Sequence, residues 1–362
     1  MNEVASIRRL PFFRPRATRP VRILSIDGGG IRGLIPAMVL ADIERRTGRP
    51  ISELFDLIAG TSSGGLIALA LASPGIGGKS RCAAYDLVRL YETEGSRVFS
   101  RTMWHAIRAV GNLVEGKYPT TGIEGVLEQY FGELKLSDAL VDVMIAAYEI
   151  ERRRPYFFKS WHARERDAQD FLSRDVLRAA TAAPTFFEPA RIHALDGRGD
   201  YALIDGAVYL FNPALSAFAE ARVLYPEADE FLMVSLGTGQ MTRRFEYLDV
   251  KDWGAARWAQ PVFDIGCDGQ QEVVDYQLRQ LLPPDPKGRT RYYRFQTRLE
   301  LGNDDMDDAS QSNMRILKHL GEDLVLRNQG SLRALCQLLE DWSTAETEKS
   351  ATRQAAASRF PE

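Results

Sequence analysis

Cysteine and histidine are scarce in this chain of 362 residues, and each scarcity excludes a class of chemistry. The cysteines are three, Cys82, Cys267 and Cys336, far apart and without a CxxC pair. That spacing offers neither a disulfide framework nor a zinc site, and it fits a reducing compartment. The histidines are four, His105, His162, His193 and His319. Long apolar runs are missing too: nothing approaches the roughly 18 residues of a membrane span, and the opening MNEVASIRRLPFFRPRATRP lacks the apolar core of a signal peptide. A cytoplasmic protein is expected. No strong charge of either sign is present, the formal net charge being -3. A nucleic-acid partner, which calls for a concentrated basic excess, is therefore not expected.

What is present is an ordinary globular composition, 45% apolar and 26% charged, long enough for a large core. VRILSID at 21–27 is a β-branched run that stops at glycines, and IRGLIPAMVLADIERRTG behind it has helical spacing closed by Gly48. FDLIAG and SGGLIALALAS repeat the order strand then helix, which predicts an α/β fold with a mostly parallel sheet between helices. Helices are expected at 80–96 and 121–131, with GNLVEGKYPTTG between them as a mobile connection. ALVDVMIAAYEI and RPYFFKSW read as paired strands, and SRDVLRAATAA as a helix capped by Ser173. YALIDGAVYL and EFLMVSLGTG are strand-like. Residues 241–300 give no clear pattern apart from a strand in YYRFQTRLEL, and 311–342 turn helical. The boundaries expected are a basic leader at 1–20, a catalytic domain at 21–240, an extension at 241–342 offering a regulatory surface, and a polar, disordered tail at 343–362. Arg8, Arg9, Arg14, Arg16 and Arg19 around Phe12 and Phe13 would suit either an anionic lipid surface or a frayed end.

Two glycine-rich turns carry the chemistry. DGGGIRG, Asp27 to Gly33, contains G-x-G-x-x-G between a strand and a helix. A dinucleotide-binding turn also wants an acid at the end of the second strand, and Ala59, Gly60 and Thr61 supply none. Successive glycine amides at a helix start can instead hold an oxyanion. The second turn, GTSSGG at 60–65, fits G-x-S-x-G with Ser62 in the middle, and Gly60 and Gly64 clear the space that so sharp a strand-to-helix elbow needs. A serine hydroxyl needs a group to accept its proton. His319, in ILKHLGEDL, is the one histidine late enough for a hydrolase order and reads as a helix-surface residue, so a carboxylate is the other acceptor. Asp205 ends an apolar run before Gly206 and Ala207, although a tight Asp-Gly turn explains those residues equally well.

DGGGIRG, GTSSGG and DGA, in that order, together with ATAAPTFFEP at 180–189, NPALSAFAEA at 212–221 and SLGTG at 235–239, resemble the patatin-like phospholipases over about residues 20–240. The resemblance implies a three-layer α/β/α fold with a serine elbow and a Ser62–Asp205 dyad that needs no histidine. It implies an oxyanion hole from Gly28, Gly29 and Gly30, with Arg32 at the family's basic position. The reaction implied is hydrolysis of membrane phospholipid acyl esters through an acyl-enzyme, without metal or cofactor, at transient contact with a membrane surface. Phe211 stands where many members have an asparagine. Phe12, Phe13, Phe157, Phe158, Phe186, Phe187 and Trp104 are candidates for an apolar approach to Ser62, although such pairs more often belong to a core. The opening block also resembles a bacterial subgroup that includes anti-phage phospholipases switched on by a cyclic dinucleotide, so a ligand of that class is the activator to look for. The competing expectation is a signalling protein that binds a nucleotide at Gly28–Gly33 and hydrolyses nothing. A homo-oligomer is left open.

Overall fold

The structure is a computed structural model that describes residues 20–98, 120–300 and 305–342. The leader, Trp104, His105, most of the 111–122 connection and the 343–362 tail lie outside the described residues. Its centre is strand β1 (Val21–Ile26), buried along its whole length. Leu24 and Ile26 enter one apolar core, and Val21 and Ile23 enter another on the opposite face. Alternation by two thus puts one strand into both layers, as a parallel strand covered on both faces requires. The chain then makes a 3₁₀ turn, Gly30–Gly33, and helix α1 (Leu34–Thr47), which ends at Gly48 with φ 65°. Strand β2 (Leu57–Thr61) runs directly into α2 (Ser63–Ala72). Helices α3 (Ala84–Val98) and α4 (Thr120–Phe131) follow.

Strands β3 (Asp142–Glu149) and β4 (Arg154–Lys159) are antiparallel partners, as their sequences predict. Helix α5 (Ser173–Ala180) comes next, with Leu172 in the capping position. Ser173 was expected there; it is instead the first helical residue, and its hydroxyl has no partner among the described residues. Strands β5 (Ala190–His193) and β6 (Asp200–Asp205), helix α6 (Ala214–Leu224) and strand β7 (Phe231–Leu236) complete the region expected as the catalytic domain. The patternless stretch after residue 240 holds α7 (Ala255–Leu281), of 27 residues, and β8 (Tyr292–Phe295). Pro261, Gly266 and Gly269 obscure that helix in the sequence. Tertiary packing of Cys267, Gln271, Val274 and Leu278 overrides their low propensity. Helices α8 (Gln311–Arg327) and α9 (329–342) close the described chain, and α8 lies on α1 so closely that a Cβ at Gly321 would stand 2.6 Å from Met38 Sδ.

The eight strands form one sheet in the order β5-β6-β3-β2-β1-β7-β8, with β4 also on β3. β3, β2, β1, β7 and β8 run parallel to one another, β4 and β6 pair antiparallel with β3, and β5 pairs antiparallel with β6. Along β3, Ala146 pairs with Thr61 of β2, and the next residue, Ala147, pairs with Asp205 of β6. Because β2 is parallel to β3 and β6 antiparallel, the C-terminal ends of β2 and β6 meet head to head there.

Strand β8 ties the late chain to the first turn. Arg294 donates to Asp27 at 2.6 Å and to Ser235 Oγ at 2.9 Å, with both charged side chains buried. Burial raises the Asp27 pKa, and the Arg294 charge opposes the rise. Removing one member of a buried pair strands the other charge. Arg294→Ala should therefore lower unfolding free energy by about 3–5 kcal/mol, measured by urea denaturation.

Candidate active site

Ser62 occupies the junction between β2 and α2 at φ 55° and ψ −123°, a backbone conformation that side chains other than glycine's rarely adopt. Tight packing sustains it. A Cβ at Gly60 would stand 2.2 Å from the Gly64 carbonyl oxygen, and one at Gly64 would stand 2.3 Å from the Ile26 carbonyl oxygen. Gly60 thus lets β2 fold back tightly onto the start of α2 and Gly64 lets the elbow press against β1, and Ser62 is lifted to the surface of a cleft while Thr61 and Ser63 are buried. The N-terminus of α2 begins at this serine, so its dipole favours negative charge on the hydroxyl oxygen.

Asp205 arrives from the opposite strand end, 1% exposed. Its Oδ1 accepts the Ala207 amide at 2.8 Å. Oδ2 has no formed hydrogen bond among the described residues. Burial pushes the carboxyl from the ordinary 3.8 up to about 7, against the opposing influence of the nearby Ser62 hydroxyl and of the Ala207 amide. Gly206 permits this placement, since a Cβ there would come within 2.7 Å of the Ala146 carbonyl carbon. Ser62 and Asp205 line one narrow cleft of about 100 Å³, together with Gly29 and Gly30.

The three glycines of the first turn are not equivalent. The Gly28 amide donates to the Phe211 carbonyl at 3.0 Å, whereas the Gly29 and Gly30 amides have no acceptor among the described residues. Gly30 sits at φ 57° with a Cβ position 2.2 Å from the Met306 carbonyl oxygen, so nothing larger fits. Arg32 is buried, carries charge toward Cys267 of α7 and does not line the cleft. His162, His193 and His319 are also absent from its lining, and His319 is exposed on α8, as its sequence context predicts. Phe186 and Phe187 line the cleft, while Phe157 and Phe158 do not.

Several contributors come from outside the glycine turns, most of them with no local signal in the sequence. Thr238 donates its hydroxyl to the Gly28 carbonyl. The Ile31 amide donates to the Met306 carbonyl at 2.9 Å, and Gln270 of α7 accepts the Asn212 amide at 2.7 Å. Phe263, also of α7, lines the cleft. Only Thr238 lay in a recognisable block, SLGTG. Among the described residues no cluster of His, Cys, Asp and Glu could hold a metal ion, and no helix is long and apolar enough to cross a membrane.

Residues 24–218 match the family described as patatin-like phospholipase. Patatin-like protein 1 of Oryza sativa subsp. indica is 32% identical over 337 residues, covering 83% of this chain and 80% of the relative. A protein of Solanum tuberosum named probable inactive patatin-3-Kuras 1 is 28% identical, covering 85% and 87%. The solved structure of human GIVD cytosolic phospholipase A2 with methyl gamma-linolenyl fluorophosphonate aligns over 90% of this chain and 60% of that one, at 13% identity and a TM-score of 0.44.

The environment of Asp205 has a stability cost with a definite sign. A carboxyl whose pKa is raised on folding stabilises the fold fully below the unfolded value and loses that contribution as pH rises from 3.8 through about 7. The displacement corresponds to about 4 kcal/mol against the ionised form. Asp205→Asn should raise unfolding free energy at pH 8 by a sizeable part of that amount and change it little at pH 4, measured by urea denaturation at both pH values.

Proposed function

The chain belongs to the patatin-like phospholipase family, a family of lipid acyl hydrolases, and from that premise we propose that it cleaves acyl esters of membrane phospholipids with Ser62 as nucleophile and Asp205 as its base. The observation that carries this reading is the meeting of a strained serine and a buried carboxylate with a free Oδ2 in one cleft, at adjacent positions along β3. Asp205 Oδ2 takes the hydroxyl proton as Ser62 Oγ attacks the ester carbonyl carbon. The carbonyl oxygen becomes an oxyanion, for which the Gly29 and Gly30 amides are the available donors. Gly28 would join them only by giving up its bond to Phe211. Collapse of the tetrahedral adduct expels the alcohol portion, which takes the proton back from Asp205. Water, deprotonated by the same carboxylate, then releases the fatty acid and restores Ser62.

A base near pH 7 is matched to this work, because a carboxylate at its ordinary value would be too weak an acceptor for a hydroxyl proton. The surrounding phenyl rings, Phe186, Phe187 and Phe211 among them, suit an acyl chain. A cyclic-dinucleotide activator stays part of the proposal through the resemblance of the opening block, with cytoplasmic residence and peripheral contact with membrane.

Fatty-acid release from phospholipid vesicles and from a soluble ester tests the reading. Ser62→Ala and Asp205→Asn should each lower turnover on the order of 10⁴-fold or more, and replacing all four histidines should leave it standing in a folded protein. Retained activity in either dyad variant would remove the mechanism. Because the base must be ionised, kcat/KM should rise as pH passes through about 7, where an ordinary carboxylate would give a limb near 4. Adding cyclic di- and trinucleotides to the same assay checks the switch, which predicts a rise in rate with at least one of them.

A further inference from the structure

Helix α7 has two faces, and the outer one is unusual. Cys267, Gln271, Val274 and Leu278 lie buried on the inner face. Trp258, Val262, Ile265, Val273 and Tyr276 fall on the other side, within an arc of roughly 80° at helical spacing. The last four are 60%, 47%, 54% and 66% exposed, where an outward helix face would ordinarily carry charge. At its N-terminal end Trp258 stacks edge-on to Trp253 at 5.4 Å, both half-buried, and Tyr247 and Leu248 stand exposed just before them. Phe263, the residue after Val262, turns inward and lines the cleft of Ser62.

We propose that the outer stripe of α7, from Trp258 to Tyr276, is the surface by which this protein docks on a zwitterionic lipid layer, so that the helix lying on the lipid is also a wall of the cleft that receives it. Three observations choose this occupant. The stripe and the cleft share one helix, so an acyl chain leaving the lipid meets Phe263 within a turn of the docking surface. Tryptophans with one side packed and one side open suit a water–lipid boundary. Residues 241–281 carry five basic and seven acidic side chains, so no cationic field favours anionic lipid, and apolar burial must supply the affinity. The inference rests on the lipid-hydrolase reading for its purpose, but binding and hydrolysis can be measured apart.

The test uses the full chain carrying Ser62→Ala, so that lipid is not consumed, and sedimentation with phosphatidylcholine vesicles. Val262→Ser or Ile265→Ser should weaken partitioning by about tenfold each, whereas Val223→Ser, at a still more exposed apolar residue on α6, should not. Raising salt from low to high concentration should leave binding within about twofold. With Ser62 restored, the stripe variants should keep wild-type turnover of a soluble monomeric ester and lose it on vesicles. Such exposed polar replacements leave folding intact. Quenching of tryptophan fluorescence in the Ser62→Ala chain by brominated phosphatidylcholine supplies a readout that needs no change in the stripe. The inference is overturned by undiminished vesicle binding of the stripe variants, by binding that requires anionic lipid, or by a wild-type dimer that the same substitutions split. Stripe-dependent binding without any ester hydrolysis would support the docking surface and sink the proposed function. Hydrolysis of vesicles indifferent to the stripe would do the reverse.

Discussion

One edge of β3 holds the site together. β2 occupies that edge as far as Ala146 and β6 takes over at Ala147, so two strands of opposite direction end against each other in the middle of a continuous hydrogen-bonded ladder. A strand end is where backbone direction can change, and here both changes are made by glycine-containing turns, Gly60 to Gly65 and Gly206 to Val208. Neither turn could relax by itself, because the sheet fixes where each begins. Ser62 and Asp205 are consequently brought together by backbone pairing and not by flexible side chains.

The same arrangement accounts for the energetic cost stored at the site. A left-handed serine and a buried carboxyl lifted to a pKa of about 7 are each unfavourable alone. They persist because close contacts on every side forbid the alternatives: Gly64 against the carbonyl of Ile26, and Gly206 against the backbone of Ala146. Stability lost at these two residues is supplied by two cores, one on each face of the sheet, into which β1 and β2 alternate. The proposed mechanism uses both features, a strained serine and a poorly solvated carboxyl, and the sheet tolerates both.

The late part of the chain belongs to the site as much as the early motifs do. Asp27, which opens the first glycine turn, is neutralised by Arg294 of β8, and Arg294 in turn meets Gln271 of α7 at 3.3 Å. Gln270 holds the segment after the aspartate turn, and Met306 holds Ile31 just after the glycines. Residues 241–342 therefore brace the first glycine turn and the segment after the aspartate turn from outside, and α7 adds Phe263 to the cleft wall.

What the sequence by itself determined were the features encoded over short distances. The alternating strands, the helices behind them, and Gly60 and Gly64 around Ser62 were legible because turn chemistry and periodicity act within a few residues. Asp205 was legible only as one of two readings, since an Asp-Gly pair serves a plain turn as well as a base, and the choice depends on which strand lies opposite. Helix α7 was hidden because its proline and glycines disguise a segment that packing alone sustains. Only the tertiary structure decided that Gly28 spends its amide on Phe211 while Gly29 and Gly30 keep theirs, that a buried arginine from residue 294 secures residue 27, and that an apolar stripe faces outward beside the cleft. These are contacts between residues up to 267 positions apart. No local pattern can carry them, because sheet register and burial are properties of the whole chain folded at once.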